Sequence, residues 1–215
     1  MSILFLQLIL GIVFLTLVFL HLTKKNLSSS VAYVIQSSAI VVILSGSFLE
    51  TKNIYLLLLI LFTLVVKIIL APIFFNRLVK KHNLSFAGSM YLNTPLTLIA
   101  VAILTSVAHS QKLAPLTSIV SGDNTLLALA LSNIFISLFL IINRRGAISQ
   151  IIGVLSLENS IVAFIIFAGL EQSPALQAGI IFNIFIWIII ATAFASMIYE
   201  QFGSHDVTFM KKLKG

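Results

Sequence analysis

The sequence contains no cysteine and very little charge. The absence of cysteine excludes a disulfide framework, thiolate chemistry and cysteine-ligated metal or iron–sulfur sites. Only 9% of the 215 residues are charged, against about 25% in a typical soluble domain, and 60% are hydrophobic. The mean hydropathy is +1.15. These values predict an integral membrane protein and exclude an ordinary soluble domain.

Other common ligand and cofactor signatures are also missing. The sequence has no glycine-rich nucleotide loop and no pair of histidines at haem or metal-ligand spacing. Its net charge of +7 does not indicate nucleic acid binding, because the basic residues lie mostly in short loops rather than in a stripe. We therefore expect no cofactor, no bound metal, no catalytic residue and no enzymatic activity of the chain on its own.

Apolar runs long enough to cross a bilayer predict an all-α polytopic membrane protein. Lys24 and Lys25 follow the first run rather than precede it, which indicates a retained first helix and not a cleavable signal. The seven predicted spans are 3–22, 29–49, 54–76, 92–109, 124–143, 150–170 and 174–200.

Basic residues are divided unequally between the two sides of these spans. Ten lie in the loops after spans 1, 3 and 5 or in the C-terminal tail, whereas only Lys52 and Lys112 lie on the opposite side. The positive-inside rule therefore predicts an outer N-terminus and a cytoplasmic C-terminus, in the cytoplasmic (inner) membrane. Tyrosines near the predicted span ends suggest an aromatic belt: Tyr33, Tyr55, Tyr91 and Tyr199.

Two charged residues lie inside predicted spans, where a charge is costly and indicates a functional site. Glu158 lies in span 6, roughly 13 Å beyond Ser149 at about 1.5 Å per residue. Lys67 lies near the centre of span 3, and Pro72 is expected to free a backbone carbonyl around Ile68. Lys67 is interpreted either as a proton-accepting station or as a structural group, and both interpretations require a buried partner.

Polar side chains within the spans are candidate partners for these charges. Gln36 in span 2 is typical of a helix–helix hydrogen bond, or of a place in a polar pathway. Ser156 and Asn159 are expected to solvate Glu158, and Gly153 is expected to permit close helix approach.

The pattern around Glu158 resembles that of a known family. Residues 145–159 follow Arg145-x-Ala147-x-x-Gln150-x-x-Gly153-x-Leu155-x-Leu157-Glu158-Asn159, which resembles the signature of the hydrogenase-4 membrane component E family. The first half of the chain is also similar to that family, in Tyr33–Gln36–Ser37, in Lys67 with Pro72, and in the basic turn Arg77–Lys81. The resemblance covers essentially the whole chain.

The C-terminal half of that family is itself similar to two smaller proteins. These are the K-type subunit of respiratory complex I and the C subunit of multisubunit cation/proton antiporters. In both, a Gly-x-x-Ser-Leu-Glu run places a glutamate in the membrane, and Gly153 with Ser156–Leu157–Glu158 matches it. The resemblance therefore implies a three-helix half at 111–203, after a four-helix half at 1–110 and before a basic cytoplasmic tail at 204–215, all within one membrane domain.

The function implied by the resemblance is that of a non-redox subunit of a complex I-like, group 4 NiFe-hydrogenase or formate hydrogenlyase-type assembly. Its partners would be antiporter-like and other membrane subunits, with NiFe and iron–sulfur subunits indirectly, and the lipid bilayer. The implied proton or ion pathway comprises Glu158, Lys67, Gln150 and Asn183. The implied polar support comprises Gln36, Ser156, Asn159 and Gln177.

One departure from the family lies in predicted span 7. The family tends to carry a glutamate before a glycine there and an aspartate four residues after it, where this chain has Gln177, Gly179 and Asn183. Amides form hydrogen bonds but carry no net proton at neutral pH. A complete proton path through this span then needs water or a neighbouring subunit.

The alternatives to the hydrogenase interpretation are a subunit of a multisubunit cation/proton antiporter and a purely structural spacer between antiporter-like subunits. The replacement Glu158→Gln separates the relay from the spacer, since it abolishes pumping in the first and mainly affects assembly in the second. A stand-alone transporter is a weaker alternative, because no inverted repeat is evident.

Overall fold

The computed structural model describes residues 2–81, 89–113 and 124–168, together with six helical positions between 181 and 196. Within these ranges the secondary structure is helical, apart from turns, bends and isolated bridge residues, which include an antiparallel bridge between Met90 and Arg144. We number the α-helices in chain order: α1 (Ile3–Leu22), α2 (Asn26–Thr51), α3 (Ile54–Phe62), α4 (Ala71–Lys81), α5 (Thr94–Ala108), α6 (Asn124–Asn143) and α7 (Ala147–Phe167).

Five of the described helical stretches are long and apolar enough to cross a membrane. They are α1, α2, the continuous stretch Ile54–Lys80, α6 and α7, and they confirm the all-α membrane class. The shorter α5 has 15 residues and a length of about 22 Å. The seventh predicted span lies largely outside the described residues, so the count of seven spans stays a prediction, as does the orientation.

Asparagine side chains cap the N-termini of two helices, α3 and α5. The side chain of Asn53 accepts a hydrogen bond from the backbone N–H of Tyr55 at 3.0 Å, and α3 starts at once. The side chain of Asn93 accepts from the N–H of Leu96 at 3.0 Å, with Pro95 in the first turn of α5. Both contacts satisfy N–H groups that a helix start leaves without an intrahelical partner.

Lys67 lies in a π-helical segment, Thr63–Leu70, which joins α3 to α4. There the N–H of Ala71 donates to the carbonyl of Val66, five residues back, whereas an α-helix would use the carbonyl four residues back. Pro72 follows directly. Because proline has no N–H and its ring clashes with the carbonyl four residues earlier, the wider π turns accommodate it. The sequence predicted a disturbed carbonyl here but not a π segment.

The helices pack as a bundle in which the two halves of the chain are interleaved. Helix α1 contacts both α2 and α6, and α7 contacts both α2 and α6. Helix α2 also packs against α3, the π segment and α4, whereas α5 packs mainly on α6. The predicted halves 1–110 and 111–203 therefore share one core in the described part of the chain.

Helices α6 and α7 approach each other closely at Gly153. A Cβ atom built on Gly153 would lie 2.9 Å from Cγ1 of Ile141 and 3.3 Å from its backbone nitrogen. Carbon atoms normally pack at about 3.5–4.0 Å. A side chain at this position would therefore force the two helices apart, in agreement with the close approach expected of this glycine.

The outer surface of the bundle is apolar, and many polar side chains point inward. Large hydrophobic residues such as Leu4, Leu15 and Ile142 are exposed, whereas Gln36, Lys67 and other polar groups are buried. This arrangement is typical of a protein that faces lipid. One predicted belt residue is placed differently: Tyr33 is fully buried and packs edge-on against Phe75, at 6.3 Å between ring centroids.

Candidate functional site

The two charged residues within the spans, Lys67 and Glu158, meet in the interior of the bundle. The Lys67 Nζ lies 3.7 Å from Oε2 of Glu158, although 90 residues of sequence separate the two positions. The side chains are 1% and 9% exposed. The separation is an ion-pair distance and exceeds the usual hydrogen-bond range of about 2.7–3.2 Å. Each residue is thus the buried partner that the other requires.

Asn159 connects this pair to helix α2. Its side-chain oxygen accepts a hydrogen bond from Lys67 Nζ at 2.7 Å. Its side-chain nitrogen donates to Oε1 of Gln36 at 3.3 Å and to Oγ of Ser37 at 3.1 Å. Asn159 of α7 therefore binds the amine of Lys67. The sequence predicted that Asn159 would solvate Glu158, but it forms no hydrogen bond with the Glu158 carboxylate.

Several polar atoms around this network have no hydrogen-bond partner among the described residues. They include both carboxylate oxygens of Glu158, Nε2 of Gln36 and the hydroxyl of Tyr33. The Tyr33 side chain belongs to α2, one turn before Gln36, and interacts electrostatically with Glu158. A buried polar group without a partner is costly, so these atoms are candidates for contacts with water or with a partner subunit.

Two predicted pathway or support residues lie away from the pair. Gln150 donates from Nε2 to the backbone carbonyl of Arg144 at 2.8 Å, near the start of α7 and about 12 Å along the helix from Glu158. Ser156 is two positions from Glu158 and therefore points about 200° around the helix from it. Its hydroxyl has no hydrogen-bond partner in the described part of the chain. Asn183 and Gln177 lie outside the described residues.

The residue that sequence analysis misplaced is Arg144, which had been counted as a loop charge. It is 1% exposed, and its Nη2 donates to three carbonyls at the C-terminal end of α1: Leu20 at 2.5 Å, His21 at 2.9 Å and Thr23 at 2.7 Å. Burial lowers the pKa of the Arg144 guanidinium to about 10, so it remains charged at neutral pH. A positive charge at this helix end is favourable.

The neighbouring Arg145 and Tyr91 strengthen the same end of the bundle. The guanidinium of Arg145 lies 4.4 Å from the Tyr91 ring centroid, a cation–π contact. Backbone hydrogen bonds from Tyr91 to Asn143 and from Arg145 to Ser89 join the two segments. The loops predicted to share the basic side thus meet in space.

The chemistry available to the site is proton exchange between a carboxylate and an amine. Both groups are titratable, and the low dielectric of a bundle interior disfavours the charged form of each. Among the described ranges, no group of three His, Cys, Asp or Glu side chains is placed to hold a metal ion. A buried pair of this kind in membrane helices marks a proton or ion pathway or a structural contact between helices.

A comparison with protein families finds one match, in the C-terminal part of the chain. Residues 125–215 match the model of the family described as NADH-ubiquinone/plastoquinone oxidoreductase chain 4L. The matched region includes α7 and therefore Glu158 and Asn159, whereas Lys67 and Gln36 lie before it. No curated protein and no solved structure matches the chain.

Proposed function

We propose that the chain is a non-redox membrane subunit of a complex I-like, proton-translocating assembly. The match of residues 125–215 to the chain 4L family supports this proposal, since that family is a subunit of an oxidoreductase acting on quinones. The redox chemistry would belong to other subunits. This chain would contribute titratable groups within the membrane.

The observation that carries the proposal is the buried contact between Lys67 and Glu158. Glu158 comes from the region that matches the chain 4L family, and Lys67 comes from the preceding half of the chain. In the proposed mechanism a proton moves between the glutamate and the lysine, and redox events in partner subunits bias its position electrostatically. Moving one charge against 100 mV costs about 2.3 kcal/mol, so a modest electrostatic change is sufficient.

The finer assignment is a group 4 NiFe-hydrogenase or formate hydrogenlyase-type complex in the inner membrane. It is supported by the resemblance of the whole chain to the hydrogenase-4 component E family, including the segment 145–159 and Lys67 with Pro72. In this assignment Gln150, Asn183 and Gln177 supply further polar stations. The partners are antiporter-like membrane subunits and, through them, the NiFe and iron–sulfur subunits.

A second candidate function is that of a structural spacer between antiporter-like subunits. The amides Gln177 and Asn183, where the similar family tends to carry acids, favour it. In the spacer, Lys67 and Glu158 serve only to hold α7 against the π segment. An antiporter subunit without a hydrogenase is the third alternative, and it differs from the first only in its partners.

The first test is a mild-detergent purification of the full chain through a C-terminal tag, with the partners identified by mass spectrometry. We expect a NiFe large subunit, iron–sulfur proteins and antiporter-like subunits. Antiporter-like subunits alone would replace the hydrogenase by an antiporter complex. A protein recovered without partners would contradict every subunit function proposed above.

The second test is proton translocation by membrane vesicles that contain the assembled complex, with Glu158→Gln compared with wild type. We expect the complex to assemble and electron transfer to proceed, but translocation to be lost. The matched control is Glu50→Gln, the same chemical change at an exposed position near the end of α2, which should leave translocation unchanged. Full translocation by Glu158→Gln would refute the relay and favour the spacer.

A further inference from the structure

Helix α2 has a buried face that is polar over its N-terminal half. The buried residues of this half include six with polar side chains, spaced three or four positions apart so that they follow one side of the helix. They span eleven positions, or about 16 Å along the axis. We call them the polar α2 face: Asn26, Ser29, Ser30, Tyr33, Gln36 and Ser37.

This face leads from the N-terminal end of α2 to the Lys67–Glu158 pair. The end of the face at Gln36 and Ser37 is linked to Lys67 through Asn159, because both side chains accept hydrogen bonds from the Asn159 amide. The other end of the face, at Asn26, begins beside the exposed Lys24 and Lys25. This is also the end of the bundle at which Arg144 contacts α1. Buried polar side chains thus recur along α2 from the end of the bundle to the pair.

Beyond Ser37 the buried face of the same helix changes character. Over the next two turns the buried residues are Ala39, Ile40, Ile43 and Leu44, and a buried hydroxyl does not return until Ser47. These side chains are 0–8% exposed, so they are packed as tightly as the polar α2 face. The environment of the Lys67–Glu158 pair along α2 is therefore asymmetric, polar toward one membrane surface and apolar toward the other.

Two side chains on the polar α2 face have unused hydrogen-bonding groups that point into the protein. The hydroxyl of Tyr33 lies beside Ser37, but the two groups do not form a hydrogen bond of good geometry, and Nε2 of Gln36 has no partner among the described residues. Both side chains are fully buried. A buried water molecule typically makes about three hydrogen bonds to polar groups of this kind. Together with the carboxylate oxygens of Glu158, these groups are suited to hold such water.

We propose that the polar α2 face lines a water-filled access path which connects the Lys67–Glu158 pair to the membrane surface at the N-terminal end of α2. Along α2, the apolar residues Ile40, Ile43 and Leu44 close the direction toward the other surface. Tyr33 lies between Ser30 and Gln36 along α2, and its hydroxyl, beside Ser37, positions the water that meets the pair. The inference rests on the proposed function for the role of the pair, but the presence of water is independent of that role.

The test exploits the absence of cysteine from the chain. Single cysteines replace Ser30, Ser37, Ile43 and Leu44 in the full chain within its native membrane, and labelling by the small, water-soluble thiol reagent MTSEA is followed. All four positions are 0–3% exposed. The two serine positions therefore differ from Ile43 and Leu44 in the polarity of their surroundings and not in burial. A thiol forms reactive thiolate only where water reaches it.

We expect Ser30→Cys and Ser37→Cys to react at least about tenfold faster than Ile43→Cys and Leu44→Cys, because thiolate formation requires hydration. The membrane-impermeant reagent MTSET, applied to vesicles of each orientation, should label Ser30→Cys from one side only. Equal and slow reaction at all four positions would overturn the proposal. Labelling of Ile43→Cys as fast as Ser37→Cys would overturn the one-sided access.

A second measurement uses the unmodified protein, so that it does not depend on the folding of any variant. Hydroxyl radicals generated from water by X-rays modify side chains that lie next to internal water. We expect Tyr33 to be modified despite its complete burial, and an unmodified Tyr33 would contradict the path. If the labelling pattern is found while Glu158→Gln still translocates protons, the access path stands and the proposed function fails.

Discussion

The removal of one partner of the Lys67–Glu158 pair should cost more than the removal of both. At 3.7 Å and an effective dielectric constant of about 20, two unit charges attract each other by roughly 4–5 kcal/mol. Loss of one buried partner typically costs about 3–5 kcal/mol, because the other charge is left uncompensated, whereas replacement of both is often nearly neutral. Lys67 retains its hydrogen bond to Asn159 and can release its proton, which limits the loss.

We therefore expect Glu158→Gln and Lys67→Met each to lower the free energy of unfolding by about 3 kcal/mol. The double variant should be destabilised by less than either single variant, which requires a coupling energy of more than about 3 kcal/mol. The assay is unfolding of the purified chain by SDS, followed by circular dichroism, for wild type, both single variants and the double variant.

The control is a second double-mutant cycle, which combines Lys67→Met with Glu50→Gln. Glu50 is exposed at the end of α2, whereas Lys67 is buried, so these two changes should be additive. Additivity of the Lys67→Met and Glu158→Gln effects to within about 0.5 kcal/mol would refute the assignment of the pair as an energetically coupled contact.

The same four proteins separate the relay from the spacer. In the relay, proton translocation is absent in both single variants and in the double variant, because each of them lacks at least one of the two titratable stations. If the chain is a spacer, proton translocation depends only on the stability of the chain. The double variant should then recover the stability and the translocation that the single variants lose. A double variant that translocates protons would therefore contradict the relay even if the coupling energy is as large as expected.

Three further changes test the architecture around the site. Gly153→Ala should destabilise the chain by about 1–3 kcal/mol through the clash with Ile141, and SDS unfolding measures it; an unchanged midpoint would show that α6 and α7 can separate freely. Arg144→Lys should cost about 2 kcal/mol despite the retained charge, since a lysine cannot reproduce the geometry of the guanidinium; stability equal to wild type would reduce the contact to a charge effect. Pro72→Ala should favour a regular α-helix over the π segment, turn Lys67 away from its partners and lower translocation while the protein still folds; unaltered translocation would contradict the role given to the π segment.

The positions of the spans that the structure describes could largely be predicted from hydropathy. The bounds of α1 and α6 coincide with the predicted 3–22 and 124–143, because each is a mostly apolar run without acidic, lysine or arginine residues. Helix α2 extends beyond the predicted 29–49 to Asn26 and Thr51. Its first turn is polar, and a window based on hydropathy excludes such residues even where they are buried against other helices.

The direction in which a side chain points could not be predicted in the same way. Tyr33 lies near a helix end, as a belt tyrosine would, but it faces Phe75 in the interior. Arg144 lies in a turn, as a topology-setting charge would, but its guanidinium is buried against α1. In both cases the residue type and the distance from the helix end were informative, and the neighbouring helix decided the outcome.

The candidate site shows the same division. A single buried charge requires a partner, so the sequence predicted that Lys67 and Glu158 each have one. It did not predict that they are each other's, since they lie on elements that are distant in the chain and that both pack against α2. The π segment was also missed, because the effect of Pro72 on the preceding turn depends on how the surrounding helices hold it.

The contact between Arg144 and α1 has a consequence for the order of events during synthesis. The carbonyls of Leu20, His21 and Thr23 obtain their guanidinium partner only after more than 120 further residues have been made. At about 5–20 residues per second this takes on the order of ten seconds. Until then these carbonyls can form hydrogen bonds only with water or with the insertion machinery. The C-terminal end of α1 is thus fixed only after α6 has been made, and assembly at this end of the bundle waits for the turn before α7.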